Sequence, residues 1–259
     1  MPELPDVYVF AKNLDRVFAG KKLLKVKVVN GKKLPDTAQK LSRTLEGKKL
    51  KRIYRSGKEF RFEFEDGVLL GLHLMLTGDM FIFDQKNEHH STIVELYYEG
   101  GKNLALTDRM RNAYIKLDPE DKAGIDALEL DFKSLKTIFN RKTAVKNILL
   151  DQDLIRGIGN GYSDEILWET RISPYSIASA VPDEKIRELV KVIPTLLMSA
   201  AKKIDKAYPG RVNDEVKEFL KIHRKVNANS PTGRPIQIDT KGSRKTYYTD
   251  EQVLYKLNA

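Results

Sequence analysis

The stretch Lys142–Trp168, KTAVKNILLDQDLIRGIGNGYSDEILW, decides the fold class of this chain. Apolar residues recur at helical spacing through TAVKNILLD and again through NGYSDEILWETR, which predicts two helices. Between them Gly157, Gly159 and Gly161 stand within five positions and free the backbone for tight turns. The unpaired N–H groups at the start of the second helix suit a phosphate, and the amide of Asn160 stands where it can add a further hydrogen bond. A glycine-rich loop before a helix is also an ordinary tight turn, and the residues alone leave both readings open. The helical period extends outward from this point. FKSLKTIFN precedes it, and the long EKIRELVKVIPTLLMSAAKKI, with Pro194 as a kink, and DEVKEFLKIH follow as further helices.

N-terminal to about residue 125 the period is two. After a helix that opens at Pro5-Asp6, carries Val7, Phe10, Leu14, Val17 and Phe18, and stops at Gly20, the strands LLKVKVVN, KRIYRS, EFRFEFE, VLLGLHL, MFIFD, TIVELYY and NLALTD run in series. Asp66-Gly67 and Glu99-Gly100-Gly101 mark hairpins, and Phe60, Phe62 and Phe64 alternate with charges as in a sheet with one buried face. One helix and a run of antiparallel strands predict a sandwich or flattened barrel. The tail PIQIDTKGSRKTYYTDE is a β-hairpin around Lys241-Gly242-Ser243. The expected architecture is α+β and multidomain: an N-terminal β-sandwich domain with a leading helix (1–125), a helical domain (130–226) and a terminal hairpin (227–259).

The chain has 259 residues, 41% of them apolar, enough for a packed core. Its 46 Lys plus Arg against 36 Asp plus Glu give +10, which attracts polyanions. There is no cysteine, which excludes disulfides and thiolate metal sites. The start lacks the basic-then-apolar pattern of a signal peptide, and no run approaches the roughly 18 apolar residues of a membrane span. The expected location is cytoplasmic (nuclear in a eukaryote), and the expected state is a monomer.

Removal of the initiator Met exposes Pro2 as the terminus. An α-amino group titrates near pH 8, so a useful fraction is a free nucleophile at neutral pH, and Glu3 beside it can serve as general acid or base. Lys58, in RSGKEF, supplies a cation for a phosphate or a leaving group. Arg244 near the hairpin tip suits a bidentate phosphate contact. Each feature alone also reads as an ordinary helix lead-in, a solvated lysine or an exposed basic turn.

Taken in order, MPELPDV, RSGKEF, the central stretch and KGSRKTYY resemble the formamidopyrimidine-DNA glycosylase / endonuclease VIII family, closer to the former branch. The central stretch resembles that family's helix–two-turns–helix. The resemblance implies a bifunctional DNA glycosylase and AP lyase with Pro2 as nucleophile, assisted by Glu3 and Lys58. It implies Asn160 and Arg244 on phosphates, with Lys142, Gly159, Tyr162 and Arg111 also contacting damaged duplex DNA. It implies oxidised bases, with a lean to 8-oxoguanine and formamidopyrimidines, removed by base flipping and followed by β,δ-elimination. In HLMLTG, Leu76 or Met75 is the implied wedge that refills the stack, although Met and Leu in a strand are usually core. A catalytically silent damaged-DNA binder of the same fold, or a glycosylase for oxidised pyrimidines, are the alternatives. The chain departs from the family twice. Four zinc-binding cysteines are missing from the ribbon, which resembles a zincless finger held by strand pairing and by Ile236, Ile238, Tyr247 and Tyr248, and neither metal nor cofactor is expected. In Thr107–Asn112 (TDRMRN), Met110 replaces an arginine and Asn112 an aromatic, at positions that fill the void and read the opposite base.

Overall fold

The computed structural model describes residues 1–240 and 244–257, so the tip Lys241-Gly242-Ser243 of the expected hairpin lies outside the described residues. Two compact units are present: 1–121 with 204–215, and 122–203 with 216–259.

The first unit opens with helix α1 (Leu4–Phe18), followed by β1 (Leu23–Val28), α2 (Ala38–Leu45), β2 (Leu50–Ser56), β3 (Glu59–Phe64), β4 (Leu69–His73), β5 (Gly78–Phe83), β6 (Thr92–Tyr98), β7 (Asn103–Asp108) and β8 (Tyr114–Leu117). The strands form two antiparallel four-stranded sheets, β1-β6-β7-β5 and β2-β3-β4-β8. This is the sandwich of the expected α+β fold. Phe10, Leu14 and Phe18 of α1 and Phe60, Phe62 and Phe64 of β3 are all fully buried. The β3–β4 turn holds Asp66 and Gly67 at φ 58° and 72°, the paired left-handed geometry that Asp-Gly takes most cheaply.

Two expectations for this unit need correction. It has a second helix, α2, whose only buried side chains are Leu41 and Leu45, one turn apart. The alternation in β3 does not leave its other face in water either: Arg61 is 3% exposed. Its guanidinium pairs with Glu59 and Asp121, and Gly71 next to it has no room for a side chain because Pro119 occupies the space.

The second unit contains β9 (Ile125–Asp126), α3 (Phe132–Phe139), α4 (Val145–Leu150), β10 (Ile155–Arg156), α5 (Asn160–Glu169), most of α6 (Asp183–Ala207), β11 (Gln237–Asp239) and β12 (Thr246–Tyr248). Helix α6 runs unbroken through Pro194. The ribbon β11–β12 pairs antiparallel with Ile238 opposite Tyr247. Tyr247 packs with Trp168 and Ile222 in a small core that Ile236 joins, whereas Ile238 is 45% exposed and contributes pairing rather than packing. Tyr248 meets Tyr175 edge-on.

The expected helix Asp214–His223 is absent; the chain there is irregular. Val216, Phe219 and Leu220 do have helical spacing, but the N–H groups of Lys221, Ile222 and His223 donate to the carboxylate of Glu165 at 2.8, 2.8 and 2.9 Å. A buried side-chain acceptor satisfies those donors, so the segment has no need of its own helical ladder. Among the described residues, no helix is long and apolar enough to cross a membrane.

Candidate functional site

In the first unit, Pro2 and Glu3 lie buried at the entry to α1, with Glu3 4% exposed. Glu3 has extended backbone geometry and caps the helix; its N–H donates to the Asp6 carboxylate at 3.2 Å and its carbonyl accepts from Val7 at 3.0 Å. Pro2 is thereby held one residue outside a rigid first turn. The Met1 ammonium sits 3.1 Å from Glu215. While Met1 is present the Pro2 nitrogen is a tertiary amide with no lone pair to offer.

Lys58 is half-buried in the two-residue turn between β2 and β3, where Ser56 pairs with Glu59. Gly57 before it takes φ 58°, the left-handed start that such a hairpin turn requires. Helix α1 packs along β2, and Asp15 accepts the Ile53 N–H at 2.6 Å, which fixes the hairpin against the helix that carries Pro2. Beside Lys58, Glu59 accepts from the Tyr114 hydroxyl at 3.2 Å. Burial, then Glu59, pushes that phenol up to about 12, so at neutral pH it is a donor.

The HLMLTG turn and the Thr107–Asn112 loop are joined by one buried carboxylate. Asp108, 1% exposed, accepts from the Thr77 hydroxyl and from the N–H groups of Met110 (2.9 Å), Asn112 (2.7 Å) and Ala113 (2.9 Å). Burial alone would raise its pKa, but the Thr77 hydroxyl and the backbone donors outweigh it and hold the group below the ordinary range. On this frame Met75 has φ 56° and Arg111 φ 55°. Leu76 and Met110 are 64% and 52% exposed, so neither is a core side chain. Asn112 does not extend freely: Lys33 donates to its side-chain oxygen at 2.7 Å and reaches the Met110 carbonyl at 3.4 Å.

In the second unit, α4 and α5 are joined by two turns stapled by Gln152. Its amide nitrogen donates to the carbonyls of Leu150 (2.9 Å) and Ile158 (2.8 Å), and its oxygen accepts from the Gly157 N–H (3.0 Å). Gly157 has φ 106°, and Gly159, without a side chain, caps α5. Lys142 is exposed just before α4, and Arg244 is exposed just before β12. Asn160 donates to the Lys245 carbonyl at 2.9 Å, which brings Asn160 to the residue next to Arg244. Tyr162 is 4% exposed and turned inward. Glu165 accepts the three donors of the Lys221–His223 segment, yet burial pushes its carboxyl up. No group of three metal-ligating residues occurs among the described residues.

Residues 1–115 match the family described as the formamidopyrimidine-DNA glycosylase N-terminal domain, and residues 123–208 match the formamidopyrimidine-DNA glycosylase H2TH domain. The chain belongs to the formamidopyrimidine-DNA glycosylase family. It is 31% identical over 205 residues to the formamidopyrimidine-DNA glycosylase of Ligilactobacillus salivarius, with 73% of each chain covered. It is 26% identical over 267 residues to that of Mycoplasma mobile, covering 96% of this chain and 97% of the relative. The fold is similar to that of the Lactococcus lactis Fpg solved in complex with DNA containing an abasic site (TM-score 0.86, 21% identity, 96% of this chain and 99% of that one). In this member of the formamidopyrimidine-DNA glycosylase family, the HLMLTG turn and the Thr107–Asn112 loop meet at Asp108, and Asn160 meets the ribbon at Lys245. Sequence reading missed the carboxylates that do this structural work. Asp164-Glu165 carried a signal: two adjacent acids inside an otherwise apolar helical stretch must find buried partners.

Proposed function

We propose that this protein is a bifunctional DNA glycosylase and AP lyase that excises oxidised bases, with a lean to 8-oxoguanine and formamidopyrimidines. The name of its relatives, formamidopyrimidine-DNA glycosylase, supports the formamidopyrimidine part of that lean. One observation carries the reading: in a chain of this family, Pro2 stands directly before the buried carboxylate Glu3, at the mouth of a rigid helix. Once Met1 is removed, the Pro2 amine attacks C1′ and the bond from C1′ to the base breaks, the base leaving with a proton. The C1′–O4′ bond then opens, O4′ takes a proton with Glu3 as donor, and an iminium ion remains whose proline nitrogen carries no proton. The iminium acidifies the C2′ proton; its loss expels the 3′ phosphate, and a second elimination expels the 5′ phosphate. Lys58 supplies a cation for a phosphate or the leaving group. Asn160, Arg244 and Lys142 hold phosphates, Gly159 offers the N-terminus of α5, Tyr162 supports that turn from within, and Arg111 with Leu76 or Met75 fills the gap left by the flipped nucleotide.

Borohydride trapping on duplexes bearing 8-oxoguanine, a formamidopyrimidine, thymine glycol or an abasic site tests the reading. The untagged chain is expected to form a covalent adduct, and a chain that retains an N-terminal extension is expected to form none. Lys58→Ala should slow base release by about a hundredfold while DNA binding survives. Binding of the abasic duplex without trapping would make the protein a silent damaged-DNA binder.

A further inference from the structure

The ribbon of this chain has no cysteine to hold a metal, and a different device occupies its base. Asp164 of α5 is fully buried. One of its oxygens lies 2.7 Å from the Lys146 ammonium, and Lys146 itself is 6% exposed. The other accepts the Tyr247 N–H of β12 at 2.9 Å and meets His223 Nδ1 at 2.7 Å. Lys146 extends the grip: it donates to the Thr246 hydroxyl at 2.9 Å and to the Lys245 carbonyl at 3.3 Å. That same carbonyl takes the Asn160 amide at 2.9 Å. The consecutive residues Lys245, Thr246 and Tyr247, which follow Arg244, are thus each tied to the helix–two-turns–helix.

We propose that Asp164 and Lys146 are positioning residues that lock Arg244 in register with Asn160, so that the Arg244 contact is set by one buried ion pair instead of a metal. The inference rests on the reading of Arg244 and Asn160 as phosphate contacts. A buried pair of this kind has two discrete conditions, formed or broken, because an unpartnered charge in the interior is strongly unfavourable. Formed, it leaves the backbone at Lys245 no freedom to slide along α4 and α5. Nothing in the clamp itself points a charge outward, so its effect on DNA passes through Arg244.

The test is a double-mutant cycle on binding to a duplex carrying a tetrahydrofuran abasic analogue, read by fluorescence anisotropy across a salt series. Arg244→Ala is expected to weaken binding about tenfold and to make the slope of log affinity against log salt shallower by about one. Asp164→Asn should reproduce both changes, and the double variant should bind no more weakly than the weaker single variant. Because Asp164→Asn removes a buried charge and threatens folding, Thr246→Val, which deletes only the hydroxyl that Lys146 grips, runs in parallel; about fivefold weaker binding, again non-additive with Arg244→Ala, is expected. Multiplicative losses in both cycles, or wild-type binding by both clamp variants while Arg244→Ala binds weakly, overturn the clamp alone. A silent Arg244→Ala overturns the phosphate reading and the clamp with it.

Discussion

At the scale of single residues, buried carboxylates such as Asp108, Asp164 and Glu165 organise this protein. Asp108 collects four donors and so fixes the backbone beneath Leu76, Met110 and Arg111. Asp108→Ala strands those donors and is expected to cost about 3 kcal/mol in urea denaturation at pH 7. Its pKa is lower in the folded than in the unfolded chain, so the unfolded state binds the proton more readily. The contribution is therefore complete above the ordinary carboxylate range and is lost as pH falls through the depressed folded value. The stability difference between wild type and Asp108→Asn, followed from pH 7 down to about pH 3, should shrink; a constant difference would show that the charge of Asp108 contributes nothing. The candidate residues Pro2, Glu3 and Lys58 stood out in the sequence by type and order. Asp108 did not, because its partners are Thr77 and three backbone groups of a turn that only forms in the fold.

At the scale of elements, most strands and helices were legible from period, since one-sided burial imposes a spacing of 2 or 3.6 on apolar residues. The failures have particular causes. Helix α2 presents only Leu41 and Leu45, too few for a period. Asp214–His223 carries helical spacing without a helix, because Glu165 takes its donors. The HLMLTG turn depends on a close approach rather than on pattern: a Cβ on Gly78 would lie 2.2 Å from the Leu74 carbonyl oxygen and 2.6 Å from the Ala113 side chain. Gly78→Ala should force β5 away from Leu74 and Ala113 and cost about 2–3 kcal/mol, measured as a lower urea midpoint. An unchanged midpoint would mean that the turn has slack these distances deny.

At the scale of the whole molecule, the +10 charge and the absence of cysteine frame how the protein meets DNA. Affinity for duplex DNA should fall steeply with salt, and chelation with EDTA should change neither the melting temperature nor binding; a drop in either on chelation would reveal a metal that the chain's residues do not account for. The sequence by itself determined the fold class, the order of β and helical parts, the family and the candidates for chemistry. Periodicity, turn residues and motif order are local properties, and a linear string carries them completely. Only the tertiary structure decided how the cysteine-free ribbon is held, why Arg61 is buried, and which loops share a carboxylate. Those outcomes depend on pairs such as Lys146–Asp164 and Asn160–Lys245, whose partners lie 18 and 85 positions apart. A buried polar group must find a partner somewhere, but the physics that demands one does not say where along the chain it will be.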